Sequence, residues 1–390
     1  MGPHTFAGIK GGRHLPCFEI DDSQEVAVWA RFATPTSAMI DYHHSARPRV
    51  AGSGFRQWPG DRGFLHAIPG FVHSPVMEPL LVFRQSQNQY AIMKNNTILA
   101  AVQSGSVLVS DGAWGTFFQK KGLKPGECPE LWCIDRRAEV LDVARSYVDA
   151  GADMIESNSF GGTRFKLEHY GLADRVAEIN EAAAKISCEA AGPSRWVIAS
   201  IGPTGKMLVT GEVTEEELYA AFKEQAMALA KGGARALCIE TMSAADEAAL
   251  AIRAARENTD CEVICTFTFQ RGAKGLFRTM MGLSPTKATE EAIKAGAHIV
   301  GPNCGNGIEY MIEIVKEMRA AAGKTPILVH ANAGLPKTVN GTDVFPENPE
   351  EMAARVKAVV EAGANIVGGC CGTTPTHIKA IRKAVDALKK

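Results

Sequence analysis

A regular alternation that begins at Val107 constrains the fold most strongly. Short apolar runs alternate with segments rich in Ala, Glu and Lys that carry a helical pattern, such as 138–149 and 214–231. This alternation is typical of βα units, whose strands form a parallel sheet. The apolar runs predict eight strands, at 107–110, 154–158, 196–201, 236–240, 263–267, 298–301, 327–330 and 365–368. Eight such units in about 300 residues predict an α/β protein with a (β/α)8 TIM barrel.

A weak internal repeat supports the same architecture. Gly-Ala pairs precede every second predicted strand, at Gly151-Ala152, Gly233-Ala234, Gly296-Ala297 and Gly363-Ala364. Glycine at such a place ends the preceding helix in a left-handed turn. A barrel is built from units of this kind. An open doubly wound sheet is the alternative, but no Gly-x-Gly-x-x-Gly follows the first strand to support a dinucleotide site.

The first 92 residues differ from the rest of the chain. They are rich in His, Pro, Gly and Arg and lack a sustained period. Two interpretations stay open for residues 1–92. They form a mostly disordered extension, or translation begins at Met93 and they are not part of the native protein. Either way, we expect residues 93–390 to form the barrel domain.

The amino-acid composition limits which classes of binding partner and which cellular compartment we expect. The chain has 42 basic and 43 acidic residues, a net charge of −1, which favours neither nucleic acid nor an anionic membrane as a partner. No apolar run approaches the ~20 residues of a transmembrane helix, and the N-terminus shows no apolar signal segment. Ten cysteines without a regular framework indicate a reducing compartment. We therefore expect a cytoplasmic protein.

Cysteines lie at the ends of two predicted strands, where barrel enzymes carry their chemistry. Strand eight ends in Gly368-Gly369-Cys370-Cys371-Gly372, and strand six leads into Asn303-Cys304. Neighbouring side chains in a flat strand point to opposite faces. Cys370 and Cys371 can therefore serve one site only if the backbone leaves strand geometry, which the flanking glycines allow. Three thiolates suit zinc and leave a fourth position for a substrate, so we predict a zinc site at the C-terminal face of the strands.

The groups around these cysteines indicate the class of substrate. Zinc lowers the pKa of an entering thiol from near 8.5, and a site of three sulfurs leaves the bound thiolate nucleophilic. Such a site suits alkyl transfer to sulfur. Asp111 and Glu240 end strands one and four and can bind an ammonium group, and the Gly112-Ala113-Trp114 turn can offer N–H groups to a carboxylate. Together they predict a site for a small amino acid that carries a thiol.

Five motifs follow the predicted strands. They are Gly368-Gly369-Cys370-Cys371-Gly372-Thr373-Thr374-Pro375, Asn303-Cys304, Asp111-Gly112-Ala113-x-Gly115-Thr116, Gly202-Pro203-Thr204-Gly205 and Asn332-Ala333-Gly334-Leu335-Pro336. Together these motifs resemble the homocysteine S-methyltransferase family, from about residue 106 to the C-terminus. The resemblance is closest to the homocysteine-binding module of cobalamin-dependent methionine synthase. It implies a zinc-dependent (β/α)8 enzyme that methylates homocysteine to methionine.

The resemblance also implies a role for each matching position. The metal ligands, which are the catalytic residues, would be Cys304, Cys370 and Cys371. The homocysteine amine would meet Asp111 and Glu240, and its carboxylate would meet Gly112, Ala113 and Trp114. The groups that orient ligands and substrate would be Asn158, Asn303 and Asn332.

Several alternatives stay open at this stage. The first expectation for the methyl donor is a methylated corrinoid (cobalamin) on a separate protein, because no cobalamin-binding segment follows the zinc module. Betaine is disfavoured, since the tyrosines of the betaine-using branch are here Gly161 and Thr241 and a quaternary ammonium needs an aromatic cage. A sulfonium donor, such as S-methylmethionine or S-adenosylmethionine, and selenohomocysteine or coenzyme M as acceptor are further alternatives. A thiol redox or metal-storage protein that uses Cys370-Cys371 is the alternative from another class.

Overall fold

The computed structural model describes residues 97–339 and 342–388, and within them eight parallel strands form one sheet. The (β/α)8 prediction is confirmed, and each of the eight predicted strands is present. The prediction for residues 1–92 lies outside the described residues. The strands β1 to β8 are Leu108–Val109, Met154–Ile155, Trp196–Ile201, Ala236–Met242, Glu262–Phe267, Ile299–Gly307, Leu328–Asn332 and Ile366–Gly369.

The sheet closes on itself. Its strand order is β1-β8-β7-β6-β5-β4-β3-β2, and an isolated parallel bridge between Ser110 and Met154 joins β1 to β2. The Asp153 carboxylate supports this seam, since it accepts the Val109 N–H at 2.8 Å and the Arg382 guanidinium at 2.8 Å. With all strands parallel, every carboxyl end meets at one face of the barrel.

Helices cover the outside of the sheet. The helices α1 to α8, of which α7 has two segments, are Arg137–Asp149, Val176–Ala191, Glu215–Lys231, Ala245–Asn258, Pro285–Ala295, Ile308–Ala322, Pro349–Ala354 with Val356–Glu361, and Pro375–Leu388. Capping boxes at Thr214 and Asn348 begin α3 and α7, and each such cap stabilises a helix by about 1 kcal/mol. The predicted left-handed turns are confirmed: φ is positive at Gly151, Gly233, Gly296 and Gly363.

Shorter elements fill the connections. The short α-helices are Ile98–Gln103, Gly115–Lys120, Trp132–Asp135 and Arg164–Glu168, and the 3₁₀ turns are Ala173–Arg175, Gly192–Ser194 and Leu208–Thr210. Two antiparallel hairpins follow β5 and β7; they pair Gln270–Arg271 with Phe277–Arg278, and Lys337–Val339 with Thr342–Val344. Among the described helices, none has the length and apolar character that a membrane crossing requires.

Side chains close the N-terminal end of the barrel. Ile98 and Val102, from the first short helix, pack into a buried cluster with residues of the strands such as Ile198 and Ile264. The carboxylate of Glu262 fixes this helix, because it accepts the N–H groups of Ile98 and Leu99 at 2.8 and 2.9 Å. The opposite end of the barrel is therefore the one that can receive a ligand.

Candidate active site

A cavity of about 280 Å³ opens at the C-terminal face of the strands. Every strand except β5 contributes to its wall, either directly or through the loop that follows it. Eight of the predicted site residues line it, namely Gly112, Ala113, Trp114, Asn158, Glu240, Cys304, Cys370 and Cys371. The three remaining predicted residues, Asp111, Asn303 and Asn332, are buried behind this wall.

The three predicted cysteines form one cluster. The sulfur atoms of Cys304, Cys370 and Cys371 all lie within 4.8 Å of one another, and those of Cys304 and Cys371 are 3.8 Å apart. A tetrahedral zinc with Zn–S bonds of about 2.3 Å separates its sulfurs by about 3.8 Å. Since all three cysteines border the cavity, a fourth ligand position would face it. The cluster therefore fits zinc with one open position.

The backbone around Cys370 and Cys371 explains how two adjacent cysteines serve one site. Strand β8 ends at Gly369, and both cysteines lie in the turn beyond it. Strand β7 holds that turn: Cys370 N–H donates to Ala331 O at 2.7 Å, and Ala333 N–H donates to Cys371 O at 3.0 Å. Gly372 then takes φ +82°, where an added Cβ would overlap the Phe345 ring. The expected departure from strand geometry is confirmed.

Cys304 reaches the cluster through an irregular part of β6. Its φ is +56°, and the register with β7 shifts between Asn303 and Gly307. The Gly305 N–H and the Asn332 side chain both hydrogen-bond the Cys304 sulfur. The neighbouring thiols of Cys370 and Cys371, followed by these two groups, hold the pKa of Cys304 well below its usual range. The irregular end of β6 thus brings the Cys304 sulfur to the other two cysteines.

Asn303 and Asn158 hydrogen-bond parts of the site other than the three clustered cysteines. Asn303 is fully buried and makes four hydrogen bonds: Oδ1 accepts the Thr241 N–H and the Thr266 hydroxyl, and Nδ2 donates to Glu240 Oε2 and Thr241 Oγ1. These bonds hold Thr241 at φ +59°, a left-handed conformation that β-branched residues rarely adopt. Asn158 Nδ2 donates to Pro129 O at 2.7 Å and so holds the loop that carries Glu130 against the cavity.

Glu240 is a buried carboxylate with both oxygens bonded. Ser200 donates to Oε1, while Asn303 and Thr241 donate to Oε2 at 3.0 and 3.3 Å. Burial raises the pKa of Glu240 to about 7 despite these bonds. Its side chain borders the cavity beside Cys304. Glu240 therefore lies in the wall of the predicted site.

Asp111 lies beneath the cavity rather than in its wall. Its Oδ2 accepts the indole N–H of Trp114 and the backbone N–H of Glu156, each at 2.8 Å, and Ser110 approaches Oδ1 at 3.3 Å. Burial raises the pKa of Asp111 to about 7. The next turn is also engaged, since Ala113 N–H donates to Thr373 Oγ1 at 3.0 Å. Direct contact of Asp111 with a substrate amine stays a prediction.

Three further ionisable residues of this wall were not among the predicted site residues, namely Glu130, Glu156 and His330. Glu156 follows β2 directly, which is the same strand-end signal that selected Glu240, whereas Glu130 lies in a loop without such a signal. His330 Nδ1 is 3.5 Å from Glu156 Oε1. Burial lowers the pKa of His330 to about 4, so its ring is neutral at pH 7. Burial also raises the pKa of Glu156 well above its usual range, and the charges of Glu240 and Asp111 add to this shift.

Comparisons with known proteins agree on one family. The sequence model described as "Homocysteine S-methyltransferase" matches residues 108–385. The methionine synthases of Mycobacterium tuberculosis and Mycobacterium leprae are 32% and 30% identical to this chain over 314 and 315 residues. These matches cover 76% and 77% of this chain but 26% of each relative, so the chain spans about a quarter of their length.

Solved structures support the fold. The homocysteine methyltransferase MmuM from Escherichia coli in its metallated form superposes with a TM-score of 0.58 at 20% identity, over 71% of this chain and 96% of that one. Its oxidized form gives a TM-score of 0.60 at 22% identity, over 74% and 99% of the two chains.

Proposed function

Because this chain belongs to the homocysteine S-methyltransferase family, we propose that it uses zinc to transfer a methyl group to the thiol of homocysteine, giving methionine. The observation that carries the proposal is the cluster of Cys304, Cys370 and Cys371, whose sulfurs lie within 4.8 Å of one another on the wall of a closed-bottom cavity. Cysteines buried only for packing would not need to converge on one open position.

In the proposed reaction, zinc would activate the substrate thiol, and the protein residues hold the metal ligands in place. Zinc, when bound, would supply the Lewis acid that lowers the pKa of a substrate thiol, so that the sulfur is a thiolate at neutral pH. The chain positions the three ligands: strand β7 holds the turn of Cys370 and Cys371, and Asn332 holds the Cys304 sulfur. Transfer then requires the donor methyl group to approach the substrate sulfur in line, which the open mouth of the barrel allows.

The rest of the cavity suits a small amino acid. Its volume of about 280 Å³ is close to the lower end of the sizes found for small-ligand sites, about 300 Å³. We propose that the acidic groups Glu240 and Asp111 favour the substrate ammonium, with Asp111 acting from below the wall. The turn of Gly112, Ala113 and Trp114 would receive the carboxylate, for which Ala113 N–H would leave Thr373 Oγ1. Acidic groups such as Glu240 and Asp111 favour homocysteine, which carries an ammonium group, over an anionic thiol such as coenzyme M.

For the methyl donor we propose a methylated corrinoid on a separate protein. The two mycobacterial relatives are methionine synthases, and this chain spans about a quarter of their length. The loops after β3 and β5 also carry exposed apolar side chains, with Val209 77%, Leu276 54% and Met280 75% exposed. Such a rim suits contact with another protein.

Betaine fits this cavity less well. A quaternary ammonium is held by several aromatic faces. Among the described residues, the aromatic side chains of the cavity wall are Trp114 and Phe160. Trp132 packs against Phe118 with ring centroids 5.3 Å apart and does not border the cavity. These positions do not surround a ligand as a cage would.

The test is methionine formation from homocysteine by zinc-loaded protein, run in parallel with methylcobalamin, betaine, S-methylmethionine and S-adenosylmethionine. We expect turnover with methylcobalamin, and loss of both zinc and turnover in Cys304→Ser. Cys188→Ser is the matched control, because Cys188 is a half-buried thiol outside the cavity. A Cys304→Ser protein with full zinc and full activity would contradict the proposal. A disulfide at Cys370-Cys371 that cycles with mild oxidants would instead favour a redox protein.

A further inference from the structure

We propose that His377 is a positioning residue for the metal site and acts on it through residues 345–347. These three residues, here called the brace, follow the second hairpin and precede the cap of helix α7. His377 does not border the active-site cavity. Its role rests on the proposed function, because it concerns the zinc that the three clustered cysteines would hold.

The brace packs against one glycine in each of three neighbouring loops. A Cβ added to Gly372 would overlap the Phe345 ring, and Cβ atoms added to Gly334 and Gly307 would lie 3.1 and 3.4 Å from the nearest brace atoms. Each glycine follows a residue of the cysteine site within three positions, and these residues are Cys371, Asn332 and Cys304. The brace therefore lies directly against the backbone of every segment that holds the cluster.

Backbone hydrogen bonds connect the brace to the turn that carries two of the cysteines. Glu347 N–H donates to Ala333 O at 3.0 Å, and Ala333 N–H donates to Cys371 O at 3.0 Å. Each bond in this series depends on the position of the residue before it. A displacement of the brace would therefore be passed to Cys371.

His377 fixes the brace from the side of helix α8. The ring is 7% exposed and has a partner at each nitrogen. Thr374 N–H donates to Nδ1 at 3.2 Å, so the proton of the neutral ring lies on Nε2, which donates to Glu347 O at 3.0 Å. Burial lowers the pKa of His377, which favours this neutral form. His377 thus joins the brace to the start of the helix that follows the cysteine turn.

This arrangement bears on zinc affinity because metal ligands bind best when they are already in place. Segments that are loosely held must be ordered when the metal binds, and the lost conformational freedom weakens binding. Groups that hold metal ligands through hydrogen bonds therefore affect affinity without touching the metal. His377 acts one step further out, through the brace.

The experiment measures zinc dissociation constants of the reduced full chain, in competition with a chromophoric chelator. Two substitutions separate the two hydrogen bonds of the ring. Asparagine places an acceptor near Nδ1 but is too short to reach Glu347 O, whereas glutamine places an N–H donor near Nε2. We expect His377→Asn to weaken zinc binding about threefold to tenfold, the worth of one hydrogen bond. His377→Gln should stay within about twofold of the wild type, because it keeps the bond to the brace.

Glu351→Ala is the matched control in the same part of the chain. The Glu351 carboxylate accepts the Asn348 N–H at 2.9 Å and so completes the capping box of α7, directly after the brace. Its loss destabilises that helix but leaves the bonds of the brace in place. We expect zinc affinity within about twofold of the wild type. Urea unfolding of each metal-free variant separates a general loss of stability from a selective loss of zinc affinity.

The other outcomes decide between the two levels of the proposal. Wild-type zinc affinity in His377→Asn, equal weakening in His377→Asn and His377→Gln, or equal weakening in Glu351→Ala overturns the role of His377 and leaves the proposed function standing. If the wild-type chain does not bind zinc, the proposed function fails as well. Should His377→Asn not fold, Phe345→Ala removes the ring that packs against Gly372 and must weaken zinc binding; unchanged affinity there overturns the role of the brace.

Discussion

Replacing Asn303 by alanine should destabilise the barrel more than its small change in volume suggests. The amide of Asn303 is fully buried and makes four hydrogen bonds, to Thr241, Thr266 and Glu240. In Asn303→Ala the Thr241 N–H and the Thr266 hydroxyl lose the acceptor that they share. The Glu240 carboxylate keeps its bonds from Ser200 and Thr241, so the main penalty falls on the two donors.

The magnitude follows from these donors. Each buried donor left without a partner costs about 1–3 kcal/mol, which gives about 2–6 kcal/mol for the pair. Relaxation of Thr241 from φ +59° returns about 1 kcal/mol, since a left-handed backbone is strained for a residue with a Cβ. The net loss is about 1–5 kcal/mol, and we expect it near the middle of that range.

The assay is equilibrium unfolding of the reduced, metal-free chain in urea, followed by far-ultraviolet circular dichroism. Asn306→Ala is the matched control, because Asn306 is a buried asparagine of the same strand whose amide donates to Phe269 O at 2.7 Å. Asn303→Ala should lower the free energy of unfolding about twice as much as Asn306→Ala, because it leaves two donors without a partner and Asn306→Ala leaves one acceptor. Equal costs for the two variants would show that the network around Glu240 does not depend on the Asn303 amide.

Three other perturbations test separate features. Gly372→Ala should lower the free energy of unfolding, measured by chemical denaturation, by about 2–5 kcal/mol, because φ is +82° and the new Cβ overlaps Phe345. Gly211→Ala has φ +72° but open space around the new Cβ, so it should lower the free energy of unfolding by only about 1–2 kcal/mol. Equal losses in the two variants would show that the overlap with Phe345 has no effect. Asn332→Ala should weaken zinc binding about 10–100-fold in competition with a chromophoric chelator, because it removes a hydrogen bond to the Cys304 sulfur, and Asn158→Ala should not; unchanged affinity would count against that bond. Burial raises the folded pKa of Asp111 from 3.8 to about 7, so its contribution to stability is present below about pH 4 and is lost as the pH rises to about 7. Asp111→Asn should flatten that part of the profile of unfolding free energy against pH, and an unaltered slope would assign it to other groups.

The strands were predictable because burial on both faces gives them continuous apolar runs. Trp196–Ile201 is buried along its whole length, and its predicted and observed bounds coincide. Strand β6 shows where this signal ends. The sequence predicts its end at residue 301, but the strand continues to Gly307. Its polar second half is held by shifted pairing of Asn303 with His330 and of Gly307 with Asn332, an interaction that no apolar pattern records.

The site was predictable to the level of strand ends but not of side-chain direction. Asp111 and Glu156 both follow short strands, and residue type alone favours neither. In the structure the Trp114 indole and the Glu156 N–H turn the Asp111 carboxylate beneath the wall, and Glu156 reaches the cavity. The cysteine cluster was easier to predict, because the glycines beside Cys370 and Cys371 mark a turn in which both thiols can face one way.

The seam between β1 and β2 bears on how such a chain folds as it leaves the ribosome. Strand β1 is hydrogen-bonded to β8. The Asp153 carboxylate, which accepts the Val109 N–H of β1, also accepts a hydrogen bond from Arg382 of α8. Both partners are synthesised last, although β1 emerges early. Until they appear, the nascent barrel has open edges, which are prone to pair with other chains. We therefore expect ribosome-bound chains that stop before residue 366 to be protease-sensitive and to recruit chaperones, and chains that include Arg382 to be protected.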